Sequence, residues 1–357
     1  MNGCGPSTPS PRCARRVDSA ALAVNDNVPM NAAILEEYGR PLVMADRPKP
    51  APGPGEVLLR VEACGACHSD VHVADGDWEA MKKAAKLPLV LGHEVAGVIE
   101  ANNARVGVPW LGWSCGACEY CRGGRESLCQ KQKITGVMTD GGYAQYMVAP
   151  FTHVIRIPEG LSAVEAAPLV CAGVTAYKAI KSSGLQKGQR VAVFGAGGLG
   201  HLAIQIARQL GAIVCAIDVH AGKLEMAKEC GAHEVMDASS EAPEKALRAW
   251  GAEVAVVTAA SVTAYRSAVK GVKRGGTVMV VGMPARDLEL PVIPIVGGEL
   301  RILGSAVGTR QDVRDMLALA ARTGIRCHVE TQPLEKVNDV FARLRTGDVM
   351  GRIVLTP

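Results

Sequence analysis

The chain has 357 residues, 48% apolar and 21% charged, a globular composition that excludes disordered, collagen-like and low-complexity classes and suits two domains. Lys and Arg number 39 against 35 Asp and Glu, so the formal charge is only +4, and no basic stripe or aromatic–basic interleaving points to nucleic acid. No apolar run reaches the ~18–20 residues of a membrane helix, and no convincing signal peptide is present, so the expected location is the cytoplasm.

Residues 1–29 hold Pro6, Pro9, Pro11, Ser7, Ser10, Arg12, Arg15 and Arg16 without sustained periodicity, and they read as a disordered tail. An organelle transit peptide and a translation start at Met30 are the alternatives; Asp18 and Asp26 count against the first. From 30 to about 158, short apolar runs (56–63, 95–101) alternate with Gly and Pro punctuation, which predicts a mostly β, barrel-like domain with functional loops. From about 175 the pattern changes. Apolar strands at 190–197, 214–218, 252–259 and 276–283 alternate with helices at 201–211 and 223–231, the signature of a doubly wound parallel Rossmann sheet in an α/β protein. A helix at 312–322 and a final strand at 352–357 follow. The resulting division is a tail (1–29), a mostly β domain (30–174 with 307–357) and a doubly wound domain (175–306).

Gly195, Ala196, Gly197, Gly198, Leu199 and Gly200 fit G-x-G-x-x-G between a strand and a helix. Gly195 permits the tight turn, Gly197 lets backbone approach a pyrophosphate, and Gly200 lets helix and strand pack closely. The helix N-terminus offers free N–H groups to the phosphates. Asp218 ends the next strand, 18 residues past Gly200, where a carboxylate binds the ribose hydroxyls of NAD and repels the extra phosphate of NADP. Lys223, in the following helix, joins the candidate cofactor contacts.

Twelve cysteines suggest either a disulfide framework, the habit of small secreted domains, or metal binding. Their short regular spacing favours metal. Cys115, Cys118, Cys121 and Cys129 follow C-x2-C-x2-C-x7-C, enough thiolates to close a tetrahedral structural zinc site. An iron–sulfur cluster uses other spacings. Segments 64–72, 91–97 and 170–179 each place a soft ligand beside small residues. A catalytic zinc needs three protein ligands and an open position, and Cys67, His93 and Cys171 supply such a trio from three separate loops, although spacing alone does not single them out. Cys64 and Cys67 also form C-x-x-C, for which a redox reading lacks thioredoxin-like context.

From Met30 onward the sequence resembles the zinc-containing medium-chain alcohol dehydrogenases, in particular the yeast and bacterial ethanol-active group. The motifs GACHSDVH (65–72), GHE (92–94), the cysteine knot, CAGVTAY (171–177) and GAGGLGHLA (195–203) occur in that family's order. The resemblance implies a GroES-like barrel beside the Rossmann sheet, two zinc ions per chain, NAD, a small alcohol or aldehyde as substrate, and a homo-oligomer, dimer or tetramer. It implies Cys67, His93 and Cys171 as catalytic zinc ligands, with Glu94 able to approach the metal and Asp70 orienting the histidine. Ser69 matches the hydroxyl that takes the alcohol proton, and His72 the outer end of that relay, reached through the cofactor ribose. His68 and Arg352 match pyrophosphate contacts, and Thr175 a residue packed on the nicotinamide. Trp78 and Trp110 match tryptophans that narrow the pocket toward short primary alcohols; plain packing is their alternative, and His201 reads as a packing residue or a support behind the site rather than a ligand.

The resemblance also breaks. Only 99–110 bridges GHE to the knot, roughly ten residues short of the family pattern where short loops are already the norm, and a shortened strand there is expected to leave backbone groups unpaired. Residues 79–86 look slightly long. The competing functions are a zinc-dependent reductase of bulkier or aromatic aldehydes, a polyol dehydrogenase (against which Cys171 counts), and a zinc- or nucleotide-binding homologue with impaired turnover.

Overall fold

The computed structural model describes residues 29–240, 242–284 and 286–357. The expected tail therefore lies outside the described residues except for Pro29. That residue opens the strand Pro29–Leu35, paired opposite Pro48 of Val43–Pro48, so the tail boundary is one residue too far along. A proline is tolerated at a first strand position, where no ladder bond need be lost.

The β-rich half is organised around one long strand, Glu56–Ala66. Its first part pairs with Tyr146–Pro150, its second with Glu94–Ile99, and its last residues, Cys64 to Ala66, with Arg352–Thr356. All three pairings are antiparallel. A register shift between Val61 and Ala63 bends the strand just ahead of Cys64.

The shortened bridge does not have the consequence expected of it. Arg105–Val108 pairs along its length with Glu94–Ile99, and Val106 and Gly107 pair on the other side with Arg156 and Ile155. The turn between the strands is closed by Asn103 at φ 54, a left-handed conformation that asparagine tolerates. A tight hairpin keeps the backbone partnered.

The other half is a six-stranded parallel sheet. Numbered in chain order, its strands are Arg190–Phe194, Ile213–Asp218, Glu234–Asp237, Val254–Val257, Thr277–Val280 and Arg301–Gly304, and they lie side by side as 3-2-1-4-5-6. Runs such as Val254–Val257, buried at every residue, are what a sheet covered on both faces requires. The order reverses between Arg190–Phe194 and Val254–Val257, the place where such sheets bind ligands.

The halves share an apolar core. Ala63 and Ala96 from the β-rich half cluster with Val170, Val174, Leu202 and Met316. The chain crosses this seam twice, since Val329–Pro333 and Arg352–Thr356 return to the β-rich sheet as a parallel pair. Among the described residues no single helix is long and apolar enough to cross a membrane. One bent pair passes by length and composition, Ala163–Val170 with Ala172–Ser182, and it breaks by 48° at Cys171.

Candidate active site and cysteine knot

Cys67 and Cys171 were expected on loops; both instead cap helices. Cys67 precedes the helix His68–Asp75. Its carbonyl accepts the N–H of Asp70 (3.0 Å), and its own N–H donates to Asp70 Oδ2 (3.1 Å), a reciprocal cap that starts the helix at the cysteine. Cys171 occupies the 48° break and caps Ala172–Ser182. Glu94 opens a strand, with His93 just before it. Strand and helix ends thus converge at the seam, and the ligand atoms of Cys67, His93, Glu94 and Cys171 lie within 4.8 Å of one another, all four residues buried.

Asp70 organises this cluster. Its Oδ1 pairs with His93 Nδ1 (2.8 Å), which turns Nε2 toward the cluster, 3.3 Å from Cys171 Sγ. Its Oδ2 accepts from the Tyr143 hydroxyl (2.8 Å) as well as from Cys67 N–H. Burial works to lower the His93 pKa, but Asp70 and Cys67 carry it well above the usual histidine range. The hydrogen bond from Cys171, with help from Arg352 and His93, holds the Cys67 thiol well below its ordinary value. Ligands bonded to zinc at ~2.1 Å (N) and ~2.3 Å (S) in a tetrahedron would be about 3.6 Å apart, so the observed N···S spacing fits such an ion.

Glu94 is fully buried. One oxygen pairs with Arg352, while Oε2 has no partner. Burial pushes this carboxyl up to about 8 against the opposing pull of Arg352. An orphaned buried oxygen within reach of three metal ligands is what a cation would satisfy. Any side chain at Gly65 would overlap Glu94 Oε2, so the small residue there is a requirement of the site.

On the helix His68–Asp75, Ser69 and His72 are three positions apart and share a face. Ser69 is half-buried and His68 exposed. Partial loss of hydration against its neighbours, followed by the charge of His72, lowers the His68 pKa. His72 bonds Asp77 through Nδ1 (2.7 Å) and packs on Trp78, ring centroids 4.9 Å apart. Trp110 sets its ring edge against His93 at 4.7 Å. The segment 79–86 holds a short helix, Glu79–Ala84, with no buried residue.

The glycine turn leaves the sheet at its switch point. Gly195 has φ +89, and a Cβ on Gly200 would overlap the Gly195 carbonyl, whereas nothing lies within 4 Å of the Cβ position at Gly197. That open side is where a phosphate can approach backbone. Leu199 caps the helix Gly200–Gln209. Asp218 Oδ2 accepts the N–H of Ala196 (2.8 Å), and Oδ1 accepts from Val219 (2.8 Å) and His220 (3.0 Å), which aims the carboxylate along the turn. Lys223 is half-buried in the first turn of Ala221–Glu229. Thr175 sits one helical turn after Cys171 and is buried. Arg352, besides pairing with Glu94, lays its Cδ 2.9 Å from the Cβ position of Gly198, between turn and metal cluster.

The second cluster is local. The sulfurs of Cys115, Cys118, Cys121 and Cys129 lie within 4.8 Å of one another around the short helix Glu119–Arg122. Cys115 and Cys121 are 3.9 Å apart, against about 3.8 Å for two sulfurs on a tetrahedral zinc. Backbone N–H groups hold Cys115 down at about 6. Arg310 clamps this lobe, donating from N, Nε and Nη2 to Glu126 at 2.6–3.1 Å.

Two contributors escaped the sequence reading. Tyr143 is fully buried and bonded to Asp70, yet its only signal is a lone aromatic after Gly141 and Gly142. Gly65 was read only as one of the small residues beside Cys67.

Two family models match, an alcohol dehydrogenase GroES-like domain at residues 53–159 and a zinc-binding dehydrogenase at 198–322. An alcohol dehydrogenase of Geobacillus stearothermophilus is 44% identical over 340 residues, spanning 91% of this chain and 99% of its own. The crystal structure of the alcohol dehydrogenase from the hyperthermophilic archaeon Aeropyrum pernix superposes with a TM-score of 0.84 at 34% identity, covering 92% and 100% of the two chains. Acetophenone reductase from Geotrichum candidum, solved in complex with NAD, gives 0.83 at 29% identity over 92% and 97%. With its two metal-ligating clusters, glycine turn and these relatives, the chain belongs to the zinc-containing medium-chain alcohol dehydrogenases.

Proposed function

We propose that this enzyme oxidises short primary alcohols to aldehydes, reversibly, with hydride transfer to NAD. The observation that carries the reading is the buried trio Cys67, His93 and Cys171, with the unpartnered Glu94 oxygen beside it and Thr175 one turn away. Zinc bound there supplies Lewis acidity that lowers the pKa of an alcohol hydroxyl, and bound nicotinamide supplies the hydride acceptor.

The remaining work belongs to the chain. Asp70 fixes the tautomer and ring direction of His93. Ser69 would accept the hydroxyl proton, and His72, on the same helix face and held by its bond to Asp77, would pass it outward. Asp218 and Lys223 hold the adenosine ribose, the turn Gly195–Gly200 and Arg352 hold the pyrophosphate with His68, and Thr175 packs on the nicotinamide. Trp78 and Trp110 narrow the pocket, Trp110 from its place on His93. The knot cysteines hold a second, structural zinc. The working form is a cytoplasmic homo-oligomer, dimer or tetramer.

A second reading, a reductase of bulky or aromatic carbonyl compounds, draws on the likeness to acetophenone reductase. The test is steady-state oxidation of ethanol, 1-propanol and benzyl alcohol with NAD and NADP in parallel. We expect kcat/KM to favour ethanol and propanol, and NAD over NADP by about 100-fold, the scale of an unpaired phosphate facing a carboxylate. Preference for benzyl alcohol moves the assignment to the second reading, and equal use of NADP overturns the role of Asp218.

A further inference from the structure

His201 has no part in the mechanism above, yet it is fully buried and bonded at both ring nitrogens. Its Nε2 faces the backbone N–H of His328 at 3.2 Å. A backbone N–H can only donate, so Nε2 is the acceptor, and Nδ1 carries the hydrogen that it donates to the Gly197 carbonyl at 2.8 Å. Burial lowers the imidazole to about 4, so the ring stays neutral and keeps this one tautomer at neutral pH.

One turn on, Gln205 repeats the pattern. Its Oε1 accepts the N–H of Arg326 (3.1 Å), and its Nε2 donates to the Arg326 carbonyl (2.9 Å). Four residues of helix advance about 6 Å, and two residues of extended chain advance about 6.6 Å. The side chains at 201 and 205 therefore match backbone groups at 328 and 326, and the helix Gly200–Gln209 is stitched to the segment leading into Val329–Pro333.

That segment belongs to the other half. The His328 carbonyl accepts the N–H of Arg352 (2.8 Å). The Arg352 side chain then packs on Gly198 and pairs with Glu94. A continuous series runs from Gly197 through His201, His328 and Arg352 to Glu94, from the turn that receives the dinucleotide to the metal cluster.

We infer that His201 is a positioning residue for the coenzyme: it holds the Gly197–Gly198 turn and Arg352 in one register across the seam, so that backbone and guanidinium meet the pyrophosphate together. Gln205 supports it from behind. The inference rests on the coenzyme site proposed above.

The test is NADH binding, followed by fluorescence, to purified zinc-loaded full chains. His201→Leu keeps the bulk and removes both bonds; His201→Gln offers a donor and an acceptor at similar separation. Ile206→Val, buried in the same helix, serves as a stability control. We expect His201→Leu to raise the NADH Kd about tenfold or more, the scale of losing buried hydrogen bonds, with His201→Gln within about threefold of wild type and Ile206→Val unchanged. Zinc content should be the same in all four. If His201→Leu does not fold, His201→Asn decides: it keeps a donor near Gly197, falls short of His328, and should still weaken NADH several-fold. Wild-type affinity in folded His201→Leu or His201→Asn overturns the inference, as does a loss in all variants that tracks their fall in Tm. Failure of wild type itself to bind NADH would overturn the coenzyme site instead.

Discussion

The two cysteine-bearing clusters reach similar ligand geometry by opposite routes. The knot draws all four ligands from one short, half-exposed segment, 115–129, and needs little beyond a helical turn to close. The buried cluster draws on the first residue of one strand, the residue just before it and two helix caps, and exists only because the two halves pack together. A locally written site should govern local stability, whereas a site written by tertiary packing should govern chemistry. That contrast can be broken experimentally.

The largest effect is expected from His93→Ala. Turnover should fall on the order of a thousandfold, about 4 kcal/mol of transition-state stabilisation, and zinc per chain should drop by one while the knot keeps its metal. Initial rates with metal analysis decide this; near-normal turnover would erase the distinction between the clusters. Cys118→Ser should do the converse. Losing the knot ion should cost about 3 kcal/mol of unfolding free energy, with kcat/KM of the folded fraction kept within about threefold. If activity vanishes while stability holds, the knot is no mere staple.

Glu126→Gln sharpens the same contrast, because Glu126 ties the knot lobe to Arg310. Burial would raise this carboxyl, but the Arg310 hydrogen bonds prevail and hold it below the usual range. A depressed folded pKa stabilises above the unfolded value, and the gain is lost as pH falls through the folded one. Urea unfolding should therefore show a deficit of about 2 kcal/mol at neutral pH that shrinks as the medium is acidified. A deficit independent of pH would rule out the ion pair as its source. Tyr143→Phe is the smallest change. It removes one of three donors to Asp70 and should cost about 1 kcal/mol with zinc content intact, as thermal unfolding and metal analysis will show.

The same contrast decides what could be read from sequence. The knot is visible in its spacing, and the parallel sheet in unbroken runs such as 254–257 flanked by glycine turns. Cys67, His93 and Cys171 were placed by resemblance, because no periodicity links residues so far apart in the chain. Asp70 as a hub, Tyr143 as its third donor and Gly65 as room for Glu94 depend on partners that only folding brings near. The helix His68–Asp75 was not anticipated, and its cap, a cysteine, lies outside the usual Ser, Thr, Asp and Asn that mark a helix start. The short bridge 99–110 misled in the other direction, since a missing segment in sequence need not leave a gap in the ladder once a hairpin closes it.

The strand Arg352–Thr356 also has a bearing on how the molecule comes into being. Its antiparallel partner, Cys64–Ala66, is made about 290 residues earlier, and contacts of such separation are slow to form. At ordinary elongation rates the ribosome needs roughly 15–60 s to span that distance. Throughout that interval the six-stranded sheet can assemble, while the end of the strand Glu56–Ala66, just ahead of Cys67, presents an unpaired edge. Closure of that edge, and with it the seam beside the metal cluster, thus waits until Arg352–Thr356 has been made.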